Sequence, residues 1–170
     1  MKPCKDIKKW FENQENLFYL FLIILIVPNV VLCFTEPMPI VAKVCNVLLP
    51  FSIYYIVMSW SRNCGRTFWI LFPFLFFGAF QIVLLYLFGQ SIIAVDMFLN
   101  LVTTNSSEAL ELLDNLIPAI VIVVLLYIPA LAVATVSVIK KRELPELFIH
   151  RERKRARLAM IAGVLSLGAA

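Results

Sequence analysis

The sequence is poor in the residues that enzymes and metal proteins use for chemistry. It has 1 histidine, 4 cysteines and 5 glycines among 170 residues, and charged residues make up only 15% of the chain. It contains no Gly-rich phosphate loop and no nucleophile paired with the lone His150. No two cysteines have the spacing of a metal site or of a small disulfide framework. We therefore expect no catalytic residues and no metal site within this chain.

Apolar residues, by contrast, are abundant and occur in long runs. They make up 62% of the chain, against about 45–50% in a typical soluble domain. Runs of this length are what a bilayer requires of a membrane-crossing helix. The sequence therefore predicts an all-α integral membrane protein.

Four of these runs are long enough to cross a hydrocarbon core of roughly 30 Å. We predict complete transmembrane helices over residues 17–35, 40–60, 67–88 and 116–139. A further apolar run, 158–170, is too short to cross, and we interpret it as the truncated start of a fifth span. Prolines lie in or at the ends of the four long runs, where neighbouring helices can satisfy the carbonyls they free, so we expect bends rather than breaks. They are Pro28, Pro50, Pro73, Pro118 and Pro129.

The basic residues predict the orientation of the spans. In a four-span arrangement, all 15 Lys and Arg residues except Lys43 fall on one side of the membrane. Short cytoplasmic loops carry such an excess. The amino terminus and the basic loop 140–157 are therefore predicted to be cytoplasmic. This role in topology is sufficient to explain the loop, although such a segment also attracts anionic lipid head groups. Nucleic-acid binding is not expected, because no recognition module accompanies the charge.

The predicted outward-facing segment 89–115 differs in character from the spans. It has four acidic residues and no basic one. Read as a helix, it places polar side chains on one face and apolar ones on the other, as in helices that lie at a membrane surface. Asn105 followed three residues later by Glu108 also resembles a capping box, with Asn105 as the N-cap of a separate short helix. Glu108 is thus a candidate both for ligand binding and for helix capping.

Residues 96–109, DMFLNLVTTNSSEA, resemble the periplasmic motif of lipid A phosphoethanolamine transferases. This family includes the mobile colistin-resistance enzymes. The family pattern of an Asn, a Thr four residues on and a Glu-Ala pair four beyond that falls on Asn100, Thr104 and Glu108-Ala109. The resemblance extends to the arrangement of five spans around this motif.

The resemblance implies a function for a longer protein in the bacterial inner membrane. In this family the membrane domain is followed by a sulfatase-like periplasmic domain with zinc and a threonine nucleophile. That domain moves phosphoethanolamine from phosphatidylethanolamine to lipid A or core oligosaccharide. The membrane domain anchors the enzyme, and Asn100, Thr104 and Glu108 match positions that meet the lipid head group. A carboxylate can pair with the ammonium of this head group, and amide and hydroxyl groups can bind its phosphate.

The chain departs from the family in containing no part of the catalytic domain, so we do not expect it to catalyse transfer by itself. The alternative hypothesis is a non-enzymatic four-helix membrane protein, a small transporter or scaffold. A transporter usually places ionisable residues deep within its spans. No ionisable residue lies deep within the predicted spans, and Lys43 and Glu36 lie near span ends. This pattern favours the transferase hypothesis.

Overall fold

The structure is a computed structural model that describes residues 10–88 and 106–168; the side chains of 84–88 and 106–116 lie outside that description. These ranges contain helices and no β-strand. The helices are α1 (Gln14–Thr35), α2 (Ile40–Trp60), α3 (Cys64–Ile70), α4 (Phe72–Phe88), α5 (Ser106–Ile139) and α6 (Glu146–Gly168). The predicted all-α class is confirmed for this part of the chain.

Three helical stretches are long and apolar enough to cross a membrane: α1, α2 and residues Ile117–Ile139 of α5. The pair α3 and α4 makes a fourth only if the two helices are counted as one bent span. Within the described ranges α6 does not qualify, because charged residues fill its first half. The described part of the chain is therefore all-helical and has three candidate spans, or four if the bent pair counts as one span.

The third predicted span is broken rather than bent. α3 and α4 meet at an angle of 61°, with Leu71 between them. The amide of Leu71 donates to the carbonyl of Thr67 at 3.0 Å, which closes the last turn of α3. Pro73 has no amide hydrogen to continue that ladder, and proline is favoured in the first turn of a new helix. The expectation of a bend without a break was thus wrong at Pro73. Helices α1, α2 and α5 continue through their prolines.

Two helices extend well beyond the apolar runs that predicted them. α5 begins at Ser106, so the residues before the predicted span at 116 continue it instead of forming a separate short helix. α6 begins at Glu146, so most of the predicted basic loop 140–157 is helical. Arg, Glu, Leu and Ala are good helix formers, and a helix beside a partner tolerates charge on its outer face. The sequence interpretation took charge as a sign of a loop and placed the start of this helix too late.

α6 runs antiparallel to α2. The hydroxyl of Tyr55 in α2 meets the carboxylate of Glu152 near the start of α6. Near the other end of the same helices, the thiol of Cys45 donates to the carbonyl of Ser166 at 3.0 Å. α6 therefore follows α2 over most of its length.

α5 is antiparallel to the bent pair α3 and α4. Gly65 of α3 packs against the backbone of Ala134, and Gly78 of α4 lies beside Pro28 and Tyr127. An added Cβ at Gly65 would be only 2.5 Å from the carbonyl oxygen of Ala134, so glycine permits this close approach. The packing of small residues is a common way for membrane helices to associate.

Buried aromatic side chains of α1 fill the space among the other helices. Phe18 and Phe21 are fully buried. The ring of Phe21 stacks on Phe68 of α3 with 4.3 Å between centroids, and Phe18 contacts Tyr55 of α2 at 5.9 Å. Leu17, Leu22 and Leu25 complete this part of the core.

These directions give the bundle two distinct ends. The basic end has the start of α1, the end of α2, the start of α3, the end of α5 and the start of α6. The opposite end has Thr35, Ile40, Phe88, Ser106 and Gly168. Of the Lys and Arg residues that the structure describes, all except Lys43 belong to the basic end or to the first half of α6.

Candidate functional site

Glu152 is a fully buried carboxylate near the basic end, with 0% of its surface exposed. Tyr55 of α2 donates a hydrogen bond to its Oε2. Arg151 Nε and Arg155 Nη1, both on α6, donate to its Oε1 at 2.9 and 3.0 Å. Buried charges of this kind persist in proteins when they are paired and hydrogen-bonded.

The environment of Glu152 keeps it ionised. Burial by itself raises the pKa of this carboxyl, but hydrogen bonds from Tyr55 and Arg151, with contributions from Tyr19 and the charge of Arg155, outweigh it. The result is a pKa below the ordinary value. A carboxylate of this kind accepts hydrogen bonds and does not supply a proton near neutral pH. It therefore acts as an anchor between α2 and α6.

Aromatic contacts surround this anchor. The buried ring of Phe148 packs edge-on against Phe18 of α1, with centroids 5.5 Å apart. The guanidinium of Arg151 lies over the same ring at 5.2 Å, a cation–π distance. The start of α6 is thus held against both α1 and α2.

A second polar cluster joins α1, α3 and α5 at the basic end. Gln14 is buried, and its Oε1 accepts a hydrogen bond from Ser137 Oγ at 2.7 Å and one from Cys64 Sγ at 3.4 Å. Gln14 Nε2 donates to the backbone carbonyl of Glu12 at 3.4 Å, so both ends of the buried amide are hydrogen-bonded. A membrane bundle uses such bonds to fix which helices are neighbours.

A third polar contact lies within the spans of α1 and α2. Asn46 Nδ2 donates to the backbone carbonyl of Asn29 at 2.9 Å, and Asn29 Nδ2 donates back to Asn46 Oδ1 at 3.3 Å. Asn46 also contacts Cys33 Sγ at 3.4 Å. These uncharged groups link the two helices and do not form an ionisable pathway.

The predicted head-group residues belong to the α4–α5 connection. Asn100 and Thr104 lie outside the described residues. Glu108 lies in the first turn of α5, which begins at Ser106, but its side chain is outside the description. Asn105, the predicted N-cap, also lies outside the described residues. Both the ligand-binding and the capping roles of Glu108 remain predictions.

Glu152 was missed at the sequence level, where it counted as one acid among the charges of a loop. The signal was present in the spacing: Phe148, Glu152, Ala156 and Gly163 share one face of α6 and are all buried. A single acid in the middle of an apolar helical stripe is a candidate for a paired buried charge. The sequence could not name Tyr55 as its partner, because that contact depends on how α2 and α6 pack.

The described residues contain no group of three or more His, Cys, Asp or Glu side chains arranged to hold a metal ion. No protein-family model, no curated protein and no solved structure matches this chain. A proposal for its function therefore rests on the sequence and on the geometry of the described residues.

Proposed function

We propose that this chain is the membrane domain of a phosphoethanolamine transferase. It would anchor the enzyme in the bacterial inner membrane and help to bind the head group of phosphatidylethanolamine, whose phosphoethanolamine passes to lipid A or core oligosaccharide. The sequence of residues 96–109 and the apolar helices support the proposal. Transfer itself belongs to a sulfatase-like domain, with its zinc and nucleophile, in a longer protein.

The direction of α6 is the observation that supports this proposal most. α6 starts at the basic end and follows α2 to Cys45, close to the opposite end. The α4–α5 connection, which holds the predicted head-group residues, starts and finishes at that same end. A domain that followed α6 would emerge on the side where Asn100, Thr104 and Glu108 are expected. The apolar second half of α6 would then be the start of a fifth span, with α3 and α4 together as the third.

The proposed topology has a cytoplasmic amino terminus. In this arrangement the basic end faces the cytoplasm and the opposite end faces the periplasm, following the preference of Lys and Arg for cytoplasmic loops. The contact in the middle of the α1 and α2 spans is between neutral groups, Asn29 and Asn46, whereas the ionised Glu152 bonds to Tyr55 near the basic end and is paired with Arg151 and Arg155. That pattern is typical of a structural membrane domain and not of a proton or ion pathway.

Lipid binding to this chain in detergent tests the proposed head-group role. In native mass spectrometry with equal amounts of phosphatidylethanolamine and phosphatidylglycerol, the protein should retain bound phosphatidylethanolamine. Glu108→Ala should lower that retention, because it removes the carboxylate that would pair with the ammonium. Glu111→Ala, which removes an acid one turn later on α5, is the matched control and should leave it unchanged. Phosphatidylethanolamine retention that Glu108→Ala does not change would contradict a head-group site at this position.

A further inference from the structure

The four arginines of α6 form two pairs with different surroundings. Arg151 and Arg155 bind Glu152, which compensates part of their charge. Arg153 and Arg157 are one helical turn apart and line a separate groove towards α2. Among the described side chains, no carboxylate lies within ion-pair distance of Arg153 or Arg157.

The groove lies between the last turns of α2 and the first half of α6. Its lining residues are Ile56, Ser59, Trp60, Arg153 and Arg157, and its volume is about 360 Å³. The Ser59 hydroxyl donates to the carbonyl of Ile56 at 2.8 Å, so it has no free proton to offer a ligand. Arg153 Nη2 donates to the carbonyl of Ser59 at 3.3 Å. The remaining N–H groups of the two guanidiniums are therefore the donors that a ligand in the groove would meet.

The position of Trp60 relates this groove to the membrane surface. Trp60 is the last residue of α2, a candidate span, and is 77% exposed. Tryptophan prefers the boundary between acyl chains and head groups. Ile56 lies one turn deeper, at the level of the acyl chains. The groove thus has an apolar wall at Ile56 and the guanidinium of Arg153 beside Ser59, near the head groups. Arg157 is one helical turn deeper, and its long side chain can extend towards the head groups.

We infer that this groove binds the phosphate of an anionic glycerophospholipid from the leaflet at the basic end. A guanidinium presents parallel N–H donors that match phosphate oxygens, and two of them one turn apart can hold one phosphodiester. An acyl chain of the same lipid would lie along Ile56 and the ring of Trp60.

Charge favours an anionic lipid over a zwitterionic one. Arg153 and Arg157 would repel the ammonium of a phosphatidylethanolamine bound here. They would not repel the uncharged glycerol of phosphatidylglycerol. The neighbouring Arg62 adds little, because it is paired with Glu146 and Glu143. This site is at the other end of the bundle from Phe88 and Ser106, the helix ends on either side of the α4–α5 connection, so it stands independently of the proposed transferase function.

Native mass spectrometry of the full chain, with equal phosphatidylglycerol and phosphatidylethanolamine, tests the inference. Arg153→Gln combined with Arg157→Gln should weaken phosphatidylglycerol retention roughly tenfold or more, because it removes the guanidinium donors that would bind the phosphate directly. Arg66→Gln combined with Lys154→Gln removes the same charge from exposed positions outside the groove. That control should change retention less than about twofold. An equal loss in both double variants would overturn the site and leave only a general charge effect.

Fluorescence quenching locates the lipid without relying on the arginine variants. In a protein with Trp10→Phe and Trp69→Phe, Trp60 is the remaining tryptophan. Phosphatidylglycerol with brominated acyl chains, in nanodiscs of otherwise unlabelled phosphatidylethanolamine, should quench Trp60 more than brominated phosphatidylethanolamine at the same fraction. Equal quenching by the two lipids would refute the inference. Displacement of the bound lipid by equimolar soluble glycerol phosphate would also refute it, because the site would then recognise a soluble phosphate.

Discussion

Tyr55 and Glu152 are 97 residues apart in the chain, yet the Tyr55 hydroxyl in α2 donates a hydrogen bond to the buried Glu152 carboxylate in α6. The same carboxylate holds Arg151 and Arg155. This contact joins the second helix to the last one. It places the ionised carboxylate of Glu152 beside the apolar core, whose own side chains need no hydrogen-bonding partner.

Removing the Tyr55 hydroxyl should destabilise the protein. Tyr55→Phe leaves the ring contacts in place but deprives the carboxylate of a donor, at a cost of about 1–2 kcal/mol in the free energy of unfolding. Tyr54→Phe is the matched control, because no hydrogen bond joins Tyr54 to another described side chain. Denaturant unfolding in detergent, followed by circular dichroism, measures both. Equal effects of the two variants would mean that the hydrogen bond contributes nothing.

Stability should also fall in acid because of Glu152. Its pKa in the folded protein is lowered from the ordinary value of 4.5. The carboxylate therefore stabilises the fold fully above about pH 4.5 and loses this contribution as the pH falls through the lowered value. Glu152→Gln should be less stable near pH 7 and should lose less stability than the unaltered protein between about pH 5 and about pH 3. Thermal unfolding across that range checks this, and parallel curves for the two proteins would contradict it.

A single methyl group at Gly65 should disrupt the contact between α3 and α5. The added Cβ of Gly65→Ala would be 2.5 Å from the backbone oxygen of Ala134, and a backbone cannot move aside as a flexible side chain can. Overpacking of this kind costs about 1–3 kcal/mol. Gly168→Ala is the control, since nothing lies within 4 Å of its added Cβ. A stable Gly65→Ala protein would show that α3 is free to shift away from α5.

The proposed topology has a direct test in cells. The test uses a protein whose native cysteines are replaced by serine. One new cysteine is introduced at Pro37, between α1 and α2, or at Glu143, between α5 and α6. The two variants should differ in their reaction with a membrane-impermeant maleimide. Pro37→Cys should be labelled from outside the inner membrane, and Glu143→Cys only after the membrane is opened. The reverse pattern would mean that the basic end faces outward, against the rule for positive residues.

The apolar pattern was sufficient to predict helices, but it could not predict where they break or meet. α2 spans Ile40–Trp60, the same bounds as the apolar run that predicted it. The break at Leu71 lies inside an unbroken apolar stretch, so hydropathy carried no sign of it, and Pro73 was the only clue. The residues after Glu146 pack along α2, and the sequence did not show that partner.

The polar contacts were partly visible in the sequence and partly not. Tyr55 lies within a predicted span, where a hydroxyl bonds mainly to other protein groups, and it donates a hydrogen bond to Glu152 of another helix. Its acceptor was not foreseen, because Glu152 is separated from it by most of the chain. The joint bonding of Gln14, Ser137 and Cys64 was hidden for the same reason: each lies on a different helix. The roles of Asn100, Thr104 and Glu108 remain predictions from the sequence.

The 61° angle between α3 and α4 determines how much bilayer thickness this part of the chain can match. The 17 residues of α4 measure about 26 Å along their axis, and the 7 residues of α3 about 10 Å. In a straight line they would exceed a hydrocarbon core of roughly 30 Å. With α4 along the membrane normal, the tilted α3 contributes only about 5 Å of depth, and the pair then matches that core. Opening or closing the angle at Leu71 would adapt the protein to thicker or thinner membranes at little cost in helix structure.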